Sequence, residues 1–138
     1  MKKLFDLTGK RLVIATTNLN KHKIVYMDYN SHPNLHLLSA IRMSMGIPFF
    51  FTSVRYKGDS DKESIYVDGG LLNNFPINQC DPKKVIGIKL TTEDELNEDI
   101  HHKIENIESF AMNVLYCTLF ELDRLKVTPE YNDRIVYV

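Results

Sequence analysis

Apolar residues in this chain fall into short bursts separated by polar turns, and the bursts change period along the sequence. Residues 11–17, "RLVIATT", are β-branched and apolar and predict a buried strand. Across the turn "NLNKH", "KIVYMDYN" alternates as a half-exposed strand paired with the first. "SHPNLHLLSAIRMSMG" then brings helix-start signals at Ser31 and Pro33, apolar positions at Leu35, Leu38, Ile41 and Met45, and a stop at Gly46 with Pro48 beyond. This spacing predicts a short amphipathic helix. "FFFTSVRYK" and "SIYVD" are strand-like, with the polar turn "GDSDKE" between them. After a loop holding Pro76 and Pro82, "KVIGIKL" (84–90) reads as a buried strand interrupted by Gly87.

"TTEDELNEDIHHK" is acidic and predicts a solvated segment. From 103 to 125, Ile104, Ile107, Ala111, Val114, Leu115, Leu119, Leu122 and Leu125 share one face of a long amphipathic helix, with Phe110 and Phe120 widening or flanking it. Its polar positions include Glu105, Glu108, Glu121 and Asp123 with few cations, a poor match to an anionic membrane, so packing against a sheet is expected. "DRIVYV" closes as a strand. Strands alternating with helices predict an α/β layered fold. With no repeat, linker or low-complexity tract, residues 1–138 are expected to form a single domain.

Composition narrows the function classes. The chain has 138 residues, 43% hydrophobic and 25% charged, enough to bury one core. A net charge of -1 offers no basic excess for nucleic acid. Cys80 and Cys117 are far apart and lack metal-ligand spacing, which predicts two buried, reduced thiols of a cytosolic protein. The N-terminal apolar run is broken by Asp6 and Gly9, and no run is long enough for a membrane span, so a cytoplasmic location is expected. His22, His32 and His36 fall near turns and a helix start, where capping or solvent exposure is expected. His101 and His102 with Glu98 could be drawn as a metal site, but adjacent histidines diverge and no third ligand is evident.

The stretch that carries chemistry is "YVDGGLLNNFPI", residues 66–77. A carboxylate directly after a strand lies at the sheet edge where open α/β folds place their sites. Partly desolvated there, Asp68 could act as a general base. Gly69 and Gly70 would allow positive φ and a close approach of backbone or substrate. Asp-Gly is equally a common turn dipeptide, and the local pattern leaves both readings open.

Three segments in order, "LLSAIRMSMGIPFFFTSV", "YVDGGLLNNFPI" and "VIGIKL", resemble the patatin-like phospholipase family. The helix ends in the family's Ala-x-x-x-Ser-x-x-x-Pro pattern as Ala40, Ser44 and Pro48, and "LFDLTGKRLVIATTNL" is similar to the stretch that precedes it. The resemblance covers essentially the whole chain. It implies a layered patatin-like sheet with flanking helices. It also implies a Ser/Asp dyad in which Asp68 takes the serine proton directly, and Gly69 and Gly70 leave room for the nucleophile. No cofactor or metal is implied. The implied substrates are phospholipids or other acyl esters, with contact at a membrane surface.

The resemblance is incomplete. The family's Gly-x-Ser-x-Gly turn and its glycine-rich oxyanion loop are not in this sequence. Both precede the matched region in the family, so the resemblance implies a C-terminal portion of the domain, with Met1 falling mid-domain and the N-terminal strands absent. Ser44 belongs to the packing motif, and Ser39, Ser53, Ser60, Ser64 and Ser109 have no flanking glycine pair. The expectation is a chain that carries the dyad acid of a lipid-degrading acyl hydrolase and is inactive alone. The alternatives are a non-catalytic truncated relative that binds a lipid or partner, or an inactive remnant. "RLVIATT" and "VIGIKL", left uncovered, predict self-association.

Overall fold

Antiparallel pairing organises the first half of the chain. The computed structural model describes residues 1–58, 62–91 and 103–138, which pack as two units, Met1–Asn74 and Phe75–Val138. In the first, α1 (Lys2–Thr8) stops at Gly9, whose φ of 64° is left-handed. Strands β1 (Ile14–Asn18) and β2 (Lys23–Met27) form a hairpin with Ile14 opposite Met27 and Asn18 opposite Lys23. β4 (Ser64–Asp68) pairs with the other edge of β1, and β3 (Val54–Tyr56) pairs with β4. The sheet order is β2-β1-β4-β3, antiparallel throughout. Alternation gathers Ile14, Val25, Met27, Val54, Tyr56 and Tyr66 into one core with Ala40 and Met43 of α2 (Leu37–Ser44). Met27 and Ala40 are 0% exposed and Met43 1%. Sheet and helices together make the expected α/β fold.

Where the details depart from the sequence reading, the cause is local. Ser31 does not start the helix. Its hydroxyl accepts from the Asp28 N–H at 3.0 Å, and its own N–H donates to Asp28 Oδ1 at 2.8 Å. These bonds hold a turn instead, and α2 begins after His36. Leu35 is buried ahead of the helix, while Leu38, Ile41 and Met45 are exposed because Ala40 and Met43 take the inward face. The "FFF" run is exposed and precedes β3. In β1 the expectation inverts: Leu12 and Val13 are exposed ahead of the strand, and Thr16, Thr17 and Asn18 are buried. Two of those polar groups have partners, since Thr16 Oγ1 donates to the Val67 carbonyl at 2.8 Å and Asn18 Oδ1 accepts from the Lys21 N–H at 3.0 Å.

The second unit is a βαβ arrangement. β5 (Gly87–Lys89) and β6 (Ile135–Tyr137) are parallel, and α4 (Ile107–Lys126) lies between them in the chain. Asn106 caps α4 by accepting from the Ser109 N–H while Ser109 Oγ accepts from the Asn106 N–H, a reciprocal capping box. The core is small: Phe75, Ile77 and Tyr131, with Val85, Val127 and Ile135 against it. Gly87 is needed there, since a Cβ would fall 2.5 Å from the Phe75 ring and 2.7 Å from Ile77 Cδ1. The expected burial of 84–90 is overturned, with Ile86 78%, Ile88 69% and Leu90 76% exposed. On α4, Leu115, Leu119 and Leu122 are half-buried, but Ile107, Val114 and Leu125 are exposed. The buried residue of α4 is Asp123, paired with Lys89 at 2.6 Å. Cys80 and Cys117 are unpaired as expected but exposed, which corrects their predicted burial. The acidic run at 93–99 and His101 and His102 lie outside the described residues. No described helix is long and apolar enough to cross a membrane.

Candidate functional site

β4 delivers Asp68 to the end of the sheet, opposite Thr16 of β1. The Asp68 N–H donates to the Gly46 carbonyl at 3.0 Å, tying the strand end to the segment that follows α2. Its carboxylate Oδ1 accepts from the Gly70 N–H at 2.7 Å, which turns the chain into the short helix α3 (Gly70–Asn73). Asn73, buried in that helix, donates from Nδ2 to the Tyr26 hydroxyl at 2.7 Å and so pins α3 to β2.

The two glycines serve space. Gly69 has φ -65° and ψ -27°, an ordinary right-handed conformation, and neither Gly69 nor Gly70 has positive φ. That corrects half of the expectation. The close approach is real: a Cβ on Gly69 would stand 2.5 Å from the Ala15 carbonyl oxygen. A Cβ on Gly70 would stand 3.0 Å from both Asp68 Oδ1 and Asn74 Oδ1. Glycine at 70 therefore keeps the carboxylate uncovered.

Burial pushes the Asp68 carboxyl pKa above the ordinary carboxylate value, and the Gly70 hydrogen bond pulls the other way. The net effect is upward, which makes this half-buried acid a better proton acceptor than a surface aspartate. Asp28 shows the opposite case. The Ser31 N–H, together with Arg11 and the Asn30 N–H, outweighs its burial and lowers its pKa to about 2. Asp28 is held as a charged turn-former.

Among the described residues no hydroxyl hydrogen-bonds the Asp68 carboxylate. Ser39 and Ser44 are half-buried on α2, Ser53 is half-buried just before β3, Ser64 is buried at the start of β4, Ser109 is committed to its capping box, and Ser60 lies outside the described residues. His22 and His36 are exposed, and His32 Nδ1 lies 2.9 Å from Ser31 Oγ. Among the described residues no three His, Cys, Asp or Glu side chains converge to hold a metal. Next to the site, Leu38, Ile41, Arg42, Met45, Gly46, Phe51 and Thr52 line an open, mostly apolar groove of about 420 Å3, within the size range of small-molecule pockets. Gly46, which lines this groove, accepts from the Asp68 N–H through its carbonyl. Sequence reasoning gave no individual role to Thr16, Tyr26, Asn73 or Asn74.

The family model of the patatin-like phospholipases matches residues 2–81, a stretch that takes in α1 to α3, the whole four-stranded sheet and Asp68. The chain belongs to the patatin-like phospholipase family. Its relatives include a probable lipid hydrolase of Invertebrate iridescent virus 6, 34% identical over 77 residues, which are 56% of this chain and 25% of that protein. An uncharacterized protein of Acanthamoeba polyphaga mimivirus is 35% identical over 97 residues, 69% of this chain and 31% of its own length. The uncharacterized protein YqhO of Bacillus subtilis is 33% identical over 89 residues, 62% of this chain and 28% of its own length. The matched stretch thus spans about a quarter to a third of each of these relatives.

Proposed function

We propose that this chain is the C-terminal portion of a patatin-type lipid acyl hydrolase domain in which Asp68 is the base of a Ser/Asp dyad. The observation that carries the reading is Asp68 itself: an uncovered, half-desolvated carboxylate with a raised pKa, at a strand end inside the family-matched region. The serine is supplied by polypeptide outside these 138 residues, since no Gly-x-Ser-x-Gly occurs among them. In the completed domain Asp68 accepts the serine hydroxyl proton as the serine oxygen bonds to the ester carbonyl carbon. The proton then passes to the departing alcohol as the ester C–O bond breaks, leaving an acyl-enzyme for water to cleave. The upstream portion completes the layered sheet, and the substrate is a phospholipid or other acyl ester met at a membrane surface. Glycines 69 and 70 serve as supports that keep the approach to the carboxylate open.

The test is to supply the missing portion, as an upstream segment of a patatin-like relative carrying the Gly-x-Ser-x-Gly turn, and to assay ester hydrolysis. The completed domain is expected to turn over, and Asp68→Asn to lower its rate by about a thousandfold or more. The base must be deprotonated to act, so the rate falls as pH drops through a midpoint above the ordinary aspartate range. The isolated chain is expected to be inactive. Ester turnover by the pure chain, abolished by Asp68→Ala, overturns the need for an outside serine. A completed domain that folds and stays silent favours a lipid- or partner-binding module instead.

A further inference from the structure

The space above Gly70 is shared by two polar side chains. Asp68 Oδ1 and Asn74 Oδ1 each lie 3.0 Å from the point where a Cβ at position 70 would be, so they stand no more than twice that distance apart. One water oxygen making two hydrogen bonds near the tetrahedral angle spans about 4.5 Å between its partners, which is inside that limit. Asn74 is exposed and Asp68 half-buried, so the gap opens to solvent on the amide side. Asp68 Oδ1 spends one acceptor position on the Gly70 N–H, and a carboxylate has further positions to offer. An amide can both accept and donate, so it can complement either a hydrogen or a lone pair of a water molecule.

We propose that Asn74 completes the Asp68 site: its side-chain amide and the Asp68 carboxylate together hold one water molecule over the bare face of Gly70. The clasp gives Asn74 a positioning role that rests on the reading of Asp68 as base. The water oxygen bonds to the acyl carbon of the acyl-enzyme, one water proton goes to Asp68, and the other hydrogen stays directed at Asn74 Oδ1. The serine C–O bond then breaks, and Asp68 returns its proton to the serine oxygen. Asn74 thereby fixes the direction of the lone pair that attacks, which a single contact to Asp68 leaves free to rotate.

The clasp is tested on the chain itself, without any turnover. A crystal structure that resolves water is expected to place one oxygen within about 3.2 Å of both the Asp68 carboxylate and the Asn74 amide. Asn74→Ala should lose that oxygen while keeping the Asp68–Gly70 hydrogen bond, which reports an intact turn. In solution, Asp68→Asn should shift the Asn74 side-chain amide resonances as well as the Gly70 backbone amide, the internal control. An Asn74 amide turned away from Asp68, a shared oxygen that survives in Asn74→Ala, or a Gly70 shift with no Asn74 shift each overturns the clasp. None of these outcomes bears on whether Asp68 serves as base, and an inactive Asp68→Asn in the completed domain says nothing of Asn74. The two readings therefore fail separately.

Discussion

The two units of the chain reach burial by different means. Met1–Asn74 has a four-stranded sheet with a helix against one face, and three apolar side chains there, Met27, Ala40 and Met43, are at or near zero exposure. Phe75–Val138 has two parallel strands, three buried core residues and an ion pair between Lys89 and Asp123. Parallel strands are normally covered on both faces, and a lone pair of strands is marginal by itself. In this pair Ile88 sits beside Val136, and both are more than half exposed along with Ile86, Leu90 and Val138. The difference teaches where rigidity is available. The candidate carboxylate belongs to the unit with the larger core.

The largest effect tests that division directly. Met43→Ala removes a side chain that is 1% exposed at the meeting of α2 and the sheet. It is expected to destabilise the first unit by about 3 kcal/mol. Hydrogen exchange should show protection lost across β1, β2 and β4 while α4 keeps its own. Uniform loss over both units would mean that they unfold as one, and the comparison would break.

A second substitution asks what holds the βαβ unit. The side chains of Lys89 and Asp123 are 15% and 8% exposed, and Asp123 Oδ1 has no hydrogen-bond partner among the described residues. Lys89→Met keeps length and apolar contact but leaves a carboxylate buried without its cation. The expected cost is about 2–3 kcal/mol, somewhat below that of a fully buried pair. Loss of protection should be confined to β5, α4 and β6, as read by hydrogen exchange. A neutral Lys89→Met would show that apolar packing, small as it is, suffices.

These contrasts explain what could be read from the residues and what could not. The strand segments were legible because β-branched runs bounded by turn residues have few other options, and the place of Asp68 at a strand end was legible because an acid ends such a run. The inward face of α2 was not. Its sequence offers Leu38, Ile41 and Met45 on one side and Ala40 and Met43 on another, and periodicity cannot choose between two apolar stripes. Burial of Thr16 was hidden for a related reason: its hydroxyl donates to a backbone group distant in sequence, the Val67 carbonyl. The need for Gly69 was misattributed to φ because the close Ala15 carbonyl becomes visible only when β1 and the turn are brought together. Asn74 escaped notice because nothing in "LLNN" tells which asparagine turns back over Gly70.

The smallest expected change in stability carries the sharpest statement about the bare face. Ile88 is 69% exposed beside Val136, so Ile88→Ser removes little buried contact. The expected change in unfolding free energy is within about 0.5 kcal/mol. The same substitution breaks an apolar stripe that runs from Ile86 to Leu90 along a strand with a single pairing partner among the described residues, a surface prone to recruit another chain. Sedimentation velocity is therefore expected to show the unsubstituted chain associating and Ile88→Ser shifted toward monomer. A destabilisation of about 2 kcal/mol or more would instead mean that Ile88 is packed in solution, and the contrast between a closed unit and an open one would be lost. Unchanged association with unchanged stability would move the sticky surface to the first unit, where Phe49, Phe50 and Phe51 at 62–83% exposure are the next residues to replace.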